Sequence, residues 1–336
     1  MITSKRRRRF LKKPMRNLSH KTNQFLVVLL KITVVLAAVF FIGYKLTSND
    51  QLNFSSFLAK LNEFKVFSVL NIAVLLFLTF LNWLFEIKKW QKLSSALMTR
   101  SVRKATNESL ASFTAAIFTP SRIGEYGAKS LYYPKNERKR VIFLNFVGNM
   151  TQLFVTFIFG IIGMCYMLFQ VKLPFTGMNT ALIIVLLFSP FFLYWLIRRF
   201  NLRIKGYSLK KLEKSFKTIS NDIQWKTLYY ASLRYIIFTH QFYFLLLIFN
   251  VDLPYLLVIS AVFSTYFLAS LIPTMLIFDA VIKGGFGVMI FGYLGVPEIV
   301  VLVIVLAVWI LNFGLPALLG SYYVLRYKPQ IQNLVH

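Results

Sequence analysis

The chain has 336 residues, 57% of them hydrophobic and 17% aromatic, and carries a formal net charge of +28. A mean hydropathy of +0.63 excludes a disordered basic tail and a soluble nucleic-acid binder, and a single cysteine, Cys165, excludes an intrachain disulfide framework. A soluble surface has no room for so much Phe, Leu, Ile and Val, so hydrocarbon must be the solvent for it, and the chain reads as one polytopic membrane domain.

In chain order, residues 1–24 form a basic segment with nine Lys and Arg. An apolar run at 25–44 follows, long for a cleaved signal and without a small-residue cleavage site, so it reads as a retained anchor. Further helical spans of about 20 apolar residues are expected at 66–85, 141–169, 179–197, 227–249, 255–272 and 299–325. An eighth, broken span is expected at 274–295, and a tail at 326–336. The stretch 198–226 includes a Lys-rich amphipathic run at 209–219, placed at the membrane surface. Alternate segments between spans carry 32 Lys and Arg on one side and four on the other. The positive-inside rule then puts both termini in the cytoplasm of an inner (cell) membrane.

Four places hold polar groups that hydrocarbon disfavours. In 109–133 a short apolar half meets Pro120 and is followed by Arg122, Gly124, Glu125, Gly127 and Lys129. Proline interrupts the helical ladder and both flanks fall on the same side, so a re-entrant pair of half-helices fits. A cytoplasmic loop with an interfacial helix fits equally well. In 271–295, Pro273 and several glycines interrupt the apolar run. Asp279 and Lys283 are spaced to pair on one helical face. Gly284 and Gly285, with Gly287, permit either close backbone approach or free amides facing an anion.

The span 141–169 carries a stripe of Asn145, Asn149, Gln152 and Thr156 at helical spacing. It lines a polar path or bonds neighbouring helices. The span 227–249 places Arg234 and Gln241 seven residues apart on one helix side, with His240 just off it. Arg234 either snorkels to the interface or holds a phosphate. The two interrupted segments lie in opposite halves of the chain. That arrangement points to an inverted-repeat architecture with a midplane site.

At these residues the sequence resembles a known family. Phe118-Thr-Pro-Ser-Arg-Ile-Gly-Glu125 is similar to the Pro-x-Arg-x-Gly-Glu element of the lysylphosphatidylglycerol synthase transmembrane region, a flippase-like membrane domain. Leu233-Arg234 through Gln241 to Val251-Asp-Leu-Pro254 resembles its later span. Phe267-Leu-Ala-Ser-Leu-Ile-Pro273 with Gly284-Gly-Phe-Gly287 resembles its second glycine block. The likeness covers roughly residues 20–326. Val288-Met289-Ile290 stands where the family usually has Arg-Glu, and Gly148-Asn149 stands near another Glu-Arg position.

The resemblance implies a stand-alone flippase-like domain, since about ten residues after the last span leave no room for an aminoacyl-transferase. The expected fold is all-α, with about eight membrane helices and two re-entrant or broken segments in a domain over 25–325. The expected function is binding and translocation of an anionic phospho- or glycolipid. Arg122, Lys129, Arg234 and Lys283 would meet the headgroup, with Glu125 and Asp279 as counter-charges and Gln241, Gly284 and Gly285 beside them. The alternative is a non-catalytic subunit or scaffold for an envelope enzyme. No metal or cofactor is expected: three scattered histidines and one cysteine suit no zinc site. Nor is catalysis expected, because Glu86, Glu125 and Asp279 lack a nucleophile–base partner. Partners are an anionic lipid and an envelope enzyme, with self-association left open and nucleic acid excluded.

Overall fold

A computed structural model describes residues 68–117, 119, 122–170, 203–204, 207–272 and 275–327. Those residues form helices joined by short turns and loops, with one short antiparallel ladder, β1 (Arg203–Ile204) with β2 (Tyr207–Ser208). In order they form α1 (Val69–Ser94), α2 (Val102–Ala116), α3 (Ile123–Leu131), α4 (Arg138–Gln170), α5 (Leu209–Lys217), α6 (Asn221–Ile248), α7 (Tyr255–Ser270), a 3-10 turn (Leu276–Phe278), α8 (Asp279–Gly292), α9 (Glu298–Trp309), a π turn (Ile310–Gly314) and α10 (Leu315–Arg326).

Among the described residues four helices are long and apolar enough to cross a membrane: α1, α4, α6, and the continuous rod from Glu298 to Arg326. They coincide with four of the expected spans, and they fit a membrane protein. The expected spans at 25–44 and 179–197 lie outside the described residues, as do the segment 1–24 and most of the tail. The span expected at 255–272 is a helix of 16 residues, shorter than the roughly 20 needed to cross unaided. The amphipathic run at 209–219 does form a helix, α5.

The rod from α9 to α10 sits at the centre. Its apolar stretch is 61% buried, against 33% for α1 and α4 and 39% for α6. Around it lies the largest apolar cluster, where Phe242 of α6 stacks on Phe291 of α8 at 5.7 Å and Val301 and Ile304 are fully enclosed. Apolar side chains such as Phe77, Phe80, Phe154 and Ile162 are exposed among the described residues, a disposition that hydrocarbon tolerates and water does not.

Small residues set the closest helix contacts, as expected where apolar burial against lipid offers little drive and packing decides. A Cβ on Gly163 of α4 would stand 2.6 Å from the Ser260 carbonyl of α7, and one on Gly160 would collide with Phe267. Gly320 of α10 likewise leaves no space for a Cβ against Thr114 and the Leu110 carbonyl of α2. Gly124 does the same inside the α2–α3 hairpin, where a Cβ would run into the Ala115 carbonyl.

The rod is interrupted for a covalent reason. Pro316 has no N–H, so the Asn312 carbonyl loses its i+4 donor. The chain answers with a π turn in which the Leu315 N–H reaches back to Ile310. The orphaned Asn312 carbonyl accepts instead from the Trp83 indole at 3.2 Å. This substitution, an indole for a helical amide, presses α1 against the rod where the polar site lies.

Candidate functional site

Thr79, Asn82, Glu86 and Lys89 lie on α1 at spacings of three, four and three, so they share one face. All four are buried. The opposing face of α6 brings Arg234 and Gln241. Glu86 Oε2 pairs with Lys89 Nζ and with Arg234 Nη1, each at 2.7 Å. Arg234 Nε donates to Asn82 Oδ1 at 3.0 Å. The Asn82 amide donates to Asn312 Oδ1 across to the rod. Asn312 in turn donates to Gln241 Oε1 at 2.6 Å, and Gln241 donates to Thr79 Oγ1 at 2.9 Å and to the Leu75 carbonyl at 3.1 Å. The π turn therefore places Asn312, a side chain that joins α1, α6 and the rod.

The α2–α3 hairpin supplies a second group of charges. Thr119 Oγ1 accepts from the Gly124 amide at 2.8 Å and serves the start of α3. Arg122 caps that helix in the left-handed region, with φ 60° and ψ 28°. A side-chain-bearing residue there costs on the order of 1–2 kcal/mol. The conformation turns the guanidinium onto Glu125 Oε2 at 2.7 Å. Glu125 Oε1 holds Lys129 Nζ at 2.8 Å, and the same ammonium donates to Asn145 Oδ1 of α4 at 2.8 Å. Lys129 also lies 4.3 Å above the Trp90 ring.

These groups form one electrostatic network. Glu86 contacts Lys89 and Arg234, Glu125 contacts Arg122 and Lys129, and each carboxylate also feels the charges of the other group electrostatically. Four cations thus surround two carboxylates, an excess of two positive charges among the described residues. Only Arg122 opens appreciably outward, with a side chain 24% exposed against 12% for Arg234 and 2–4% for the carboxylates and the two lysines.

Next to this network, Glu108 of α2 is buried and fully engaged. It accepts from Trp90 Nε1 at 2.7 Å and Tyr133 Oη at 2.9 Å and pairs with Arg100 at 3.3 Å. Burial pushes its carboxyl above the usual range, and the indole bond, Arg100 and the Tyr133 hydroxyl oppose that rise. The Trp90 indole therefore binds Glu108 through its edge and Lys129 through its face.

Asp279 and Lys283 pair with each other at 2.7 Å, as their spacing requires. Lys283 lies between the Tyr266 and Phe313 rings, at 4.8 and 5.1 Å. Phe313 packs on Phe113 at 5.8 Å, and Arg122 lies over Phe113 at 5.6 Å. Two aromatic rings therefore bridge the hairpin and the Asp279–Lys283 pair.

The structure thus joins Arg122, Glu125, Lys129, Arg234 and Gln241 and sets Asp279 and Lys283 to one side. Gly284 and Gly285 fall inside α8, where helical bonding takes their amides. Of the two roles open to that glycine block, close approach is the one observed: a Cβ on Gly284 would stand 3.1 Å from Leu302 and one on Gly287 3.0 Å from Val301, while Gly285 meets nothing within 4 Å. Arg234 does not snorkel, because Glu86 and Asn82 hold it. The α4 stripe bonds neighbouring helices: Asn149 donates to Tyr126 Oη at 3.2 Å and Gln152 to the Ala231 carbonyl at 3.3 Å. His240 stands apart, against Tyr255 Oη at 2.8 Å. Pro120 and Pro273, on which both expected breaks rest, lie outside the described residues.

Asn82, Lys89, Glu108 and Asn312 were not singled out from the sequence. The signal for the first two was present, since Thr79, Asn82, Glu86 and Lys89 repeat at heptad-like spacing. Compared with protein-family models, with curated proteins and with solved structures, the chain matches none.

Proposed function

We propose that the protein is a flippase-like membrane protein that binds the anionic headgroup of a membrane lipid at the Arg122–Glu125–Lys129–Glu86–Arg234 network and moves that lipid between leaflets. The observation that carries this reading is the excess of two cations in a buried network. An uncompensated cation in a low-dielectric interior is costly, so the arrangement gains from a guest bearing negative charge. Arg122 is the point of entry: it is the most exposed cation of the network, and its strained conformation aims a planar fork suited to phosphate. The resemblance of three ordered motifs to the lysylphosphatidylglycerol synthase transmembrane region supports the same reading.

The test is lipid retention by native mass spectrometry after reconstitution in equal parts phosphatidylglycerol and phosphatidylcholine. Wild type retains phosphatidylglycerol in excess, and Arg122→Gln lowers that excess at least fivefold. Equal retention of both lipids by wild type removes the proposal and leaves the scaffold reading.

A further inference from the structure

A second concave site lies where three helix ends meet, away from the buried network. The first turns of α2 bring Arg103, the end of α3 brings Tyr132, and the end of α10 brings Tyr322, Tyr323, Arg326 and Tyr327. Together they line a cavity of about 560 Å³. That volume falls in the range of sites that enclose a small organic ligand rather than a bare ion.

The lining contains two guanidiniums and no carboxylate. Neither Arg103 nor Arg326 has an acidic partner among the described residues. Arg326 is positioned by an aromatic face instead: its guanidinium carbon lies 4.5 Å above the Tyr322 ring. A cation held by a π face keeps its N–H donors available. The tyrosines are arranged as walls. Tyr132 and Tyr327 meet edge to face at 4.8 Å, and Tyr322 and Tyr323 do so at 5.3 Å. The first pair is fixed, because Tyr327 Oη donates to the Leu131 carbonyl at 2.8 Å. The hydroxyls of Tyr132, Tyr322 and Tyr323 make no hydrogen bond among the described residues. Two forked cations, three uncommitted hydroxyls and four ring surfaces thus border one cavity.

We infer that this cavity binds a phosphate ester whose alcohol is a polyhydroxylated ring, with Arg103 and Arg326 on the phosphate and the tyrosines against the ring. A phosphate alone leaves most of the volume and the aromatic walls unused. An apolar ligand makes no use of the two guanidiniums or the three hydroxyls. The phosphorylated ring can arrive as a soluble sugar phosphate or as the headgroup of a lipid, and both present the same chemistry to the site.

The experiment uses the full chain in phosphatidylcholine nanodiscs. One arm titrates glucose 1-phosphate, inorganic phosphate and glucose by calorimetry. The other replaces a tenth of the lipid with phosphatidylinositol and reads retained lipid by native mass spectrometry. The paired substitution Arg103→Gln with Arg326→Gln removes both cations at exposed positions and is checked for an unchanged unfolding transition. Tyr322→Leu removes one ring wall and, with it, the rest for Arg326.

Glucose 1-phosphate binding that weakens at least tenfold in the paired variant identifies a soluble ligand. Retention of phosphatidylinositol that falls at least tenfold in that variant, without glucose 1-phosphate binding, identifies a lipid one. Tyr322→Leu narrows the preference of glucose 1-phosphate or phosphatidylinositol over phosphate. If neither arm separates wild type from the paired variant, or inorganic phosphate binds as tightly as glucose 1-phosphate and phosphatidylinositol is not retained, the inference is wrong. Arg122 is intact throughout, so phosphatidylglycerol enrichment measured on the same variants separates failure here from failure of the translocation reading.

Discussion

Replacing Glu86 by Gln tests the charged seam between α1 and α6 most severely. The substitution keeps the shape of the side chain and removes one negative charge. In the wild type Glu86 Oε2 lies 2.7 Å from both Lys89 Nζ and Arg234 Nη1. In the variant four cations would face a single carboxylate, Glu125. Removing one partner of a buried pair costs about 3–5 kcal/mol, because the remaining charge stays desolvated. Here two cations lose a partner, but Arg234 keeps its bond to Asn82, so about 3 kcal/mol is the expected loss. The assay is a double-mutant cycle of Glu86→Gln and Lys89→Met, read by reversible unfolding in bicelles. Adding Lys89→Met removes one of the stranded cations and recovers at least ~1 kcal/mol, the coupling expected of groups in direct contact. A Glu86→Gln variant within about 0.5 kcal/mol of wild type, the range of an ordinary surface change, would refute the claim that this carboxylate holds the seam together. An additive cycle would refute the pairing.

Other outcomes follow from the same geometry. At position 122 the left-handed backbone favours glycine, so Arg122→Gly is expected to be more stable than Arg122→Ala by about 1 kcal/mol; equal stabilities in the same unfolding assay would deny the strain. Gly320→Val forces a branched side chain against Thr114 and the Leu110 carbonyl and is expected to destabilise by at least the ~1–3 kcal/mol typical of overpacking; unaltered stability would show that α2 and α10 do not touch as described. Asn312→Leu strands the Asn82 amide and the Gln241 carbonyl and is expected to cost about 2 kcal/mol, with each stranded buried group contributing ~1 kcal/mol or more. Trp83→Phe removes the indole donor to the Asn312 carbonyl together with part of a buried ring packed on Phe113 and is expected to destabilise by at least ~1 kcal/mol; unchanged stability in the same assay would deny the contact.

Much of the helical framework was legible from composition, because a run of 20 or more apolar residues has few alternatives in a bilayer. The expected span at 227–249 and the α6 seen at Asn221–Ile248 differ only at their ends. The site was less legible, for reasons visible at particular residues. The first polar seam was hidden by a boundary. Hydropathy ends the apolar run near residue 85, yet the helix runs on to Ser94 because nothing in its next two turns is a glycine or proline. Glu86 and Lys89 therefore sit on a helix face rather than in a loop. Asn312 is one polar residue in a very apolar run, and only the missing N–H of Pro316 marks its neighbourhood as special. Glu108 looked like part of a basic loop, although three donors from distant positions enclose it.

Proline, glycine and charge at 109–133 were compatible with a re-entrant pair of half-helices or with a loop carrying an interfacial helix, and the described residues form two short helices there, α2 and α3. Sequence could not say what the hairpin packs against, since that depends on Gly320 of α10 leaving no Cβ against Thr114 and the Leu110 carbonyl, while Gly124 lets the two hairpin helices close on each other. The glycine block at 284–287 carried two opposite readings. Only the continuity of α8 decides for helix packing.

On the proposed reading, the buried cations serve an anionic lipid in transit. Reconstitution into liposomes with fluorescent phosphatidylglycerol in both leaflets, followed by chemical quenching of the outer leaflet, tests it most directly. The account predicts that wild type exposes inner-leaflet phosphatidylglycerol to the quencher well above the protein-free rate, that a phosphatidylcholine probe moves more slowly, and that Arg122→Gln lowers the phosphatidylglycerol rate at least fivefold while the protein remains folded. Identical rates for protein-free, wild-type and Arg122→Gln liposomes would contradict it.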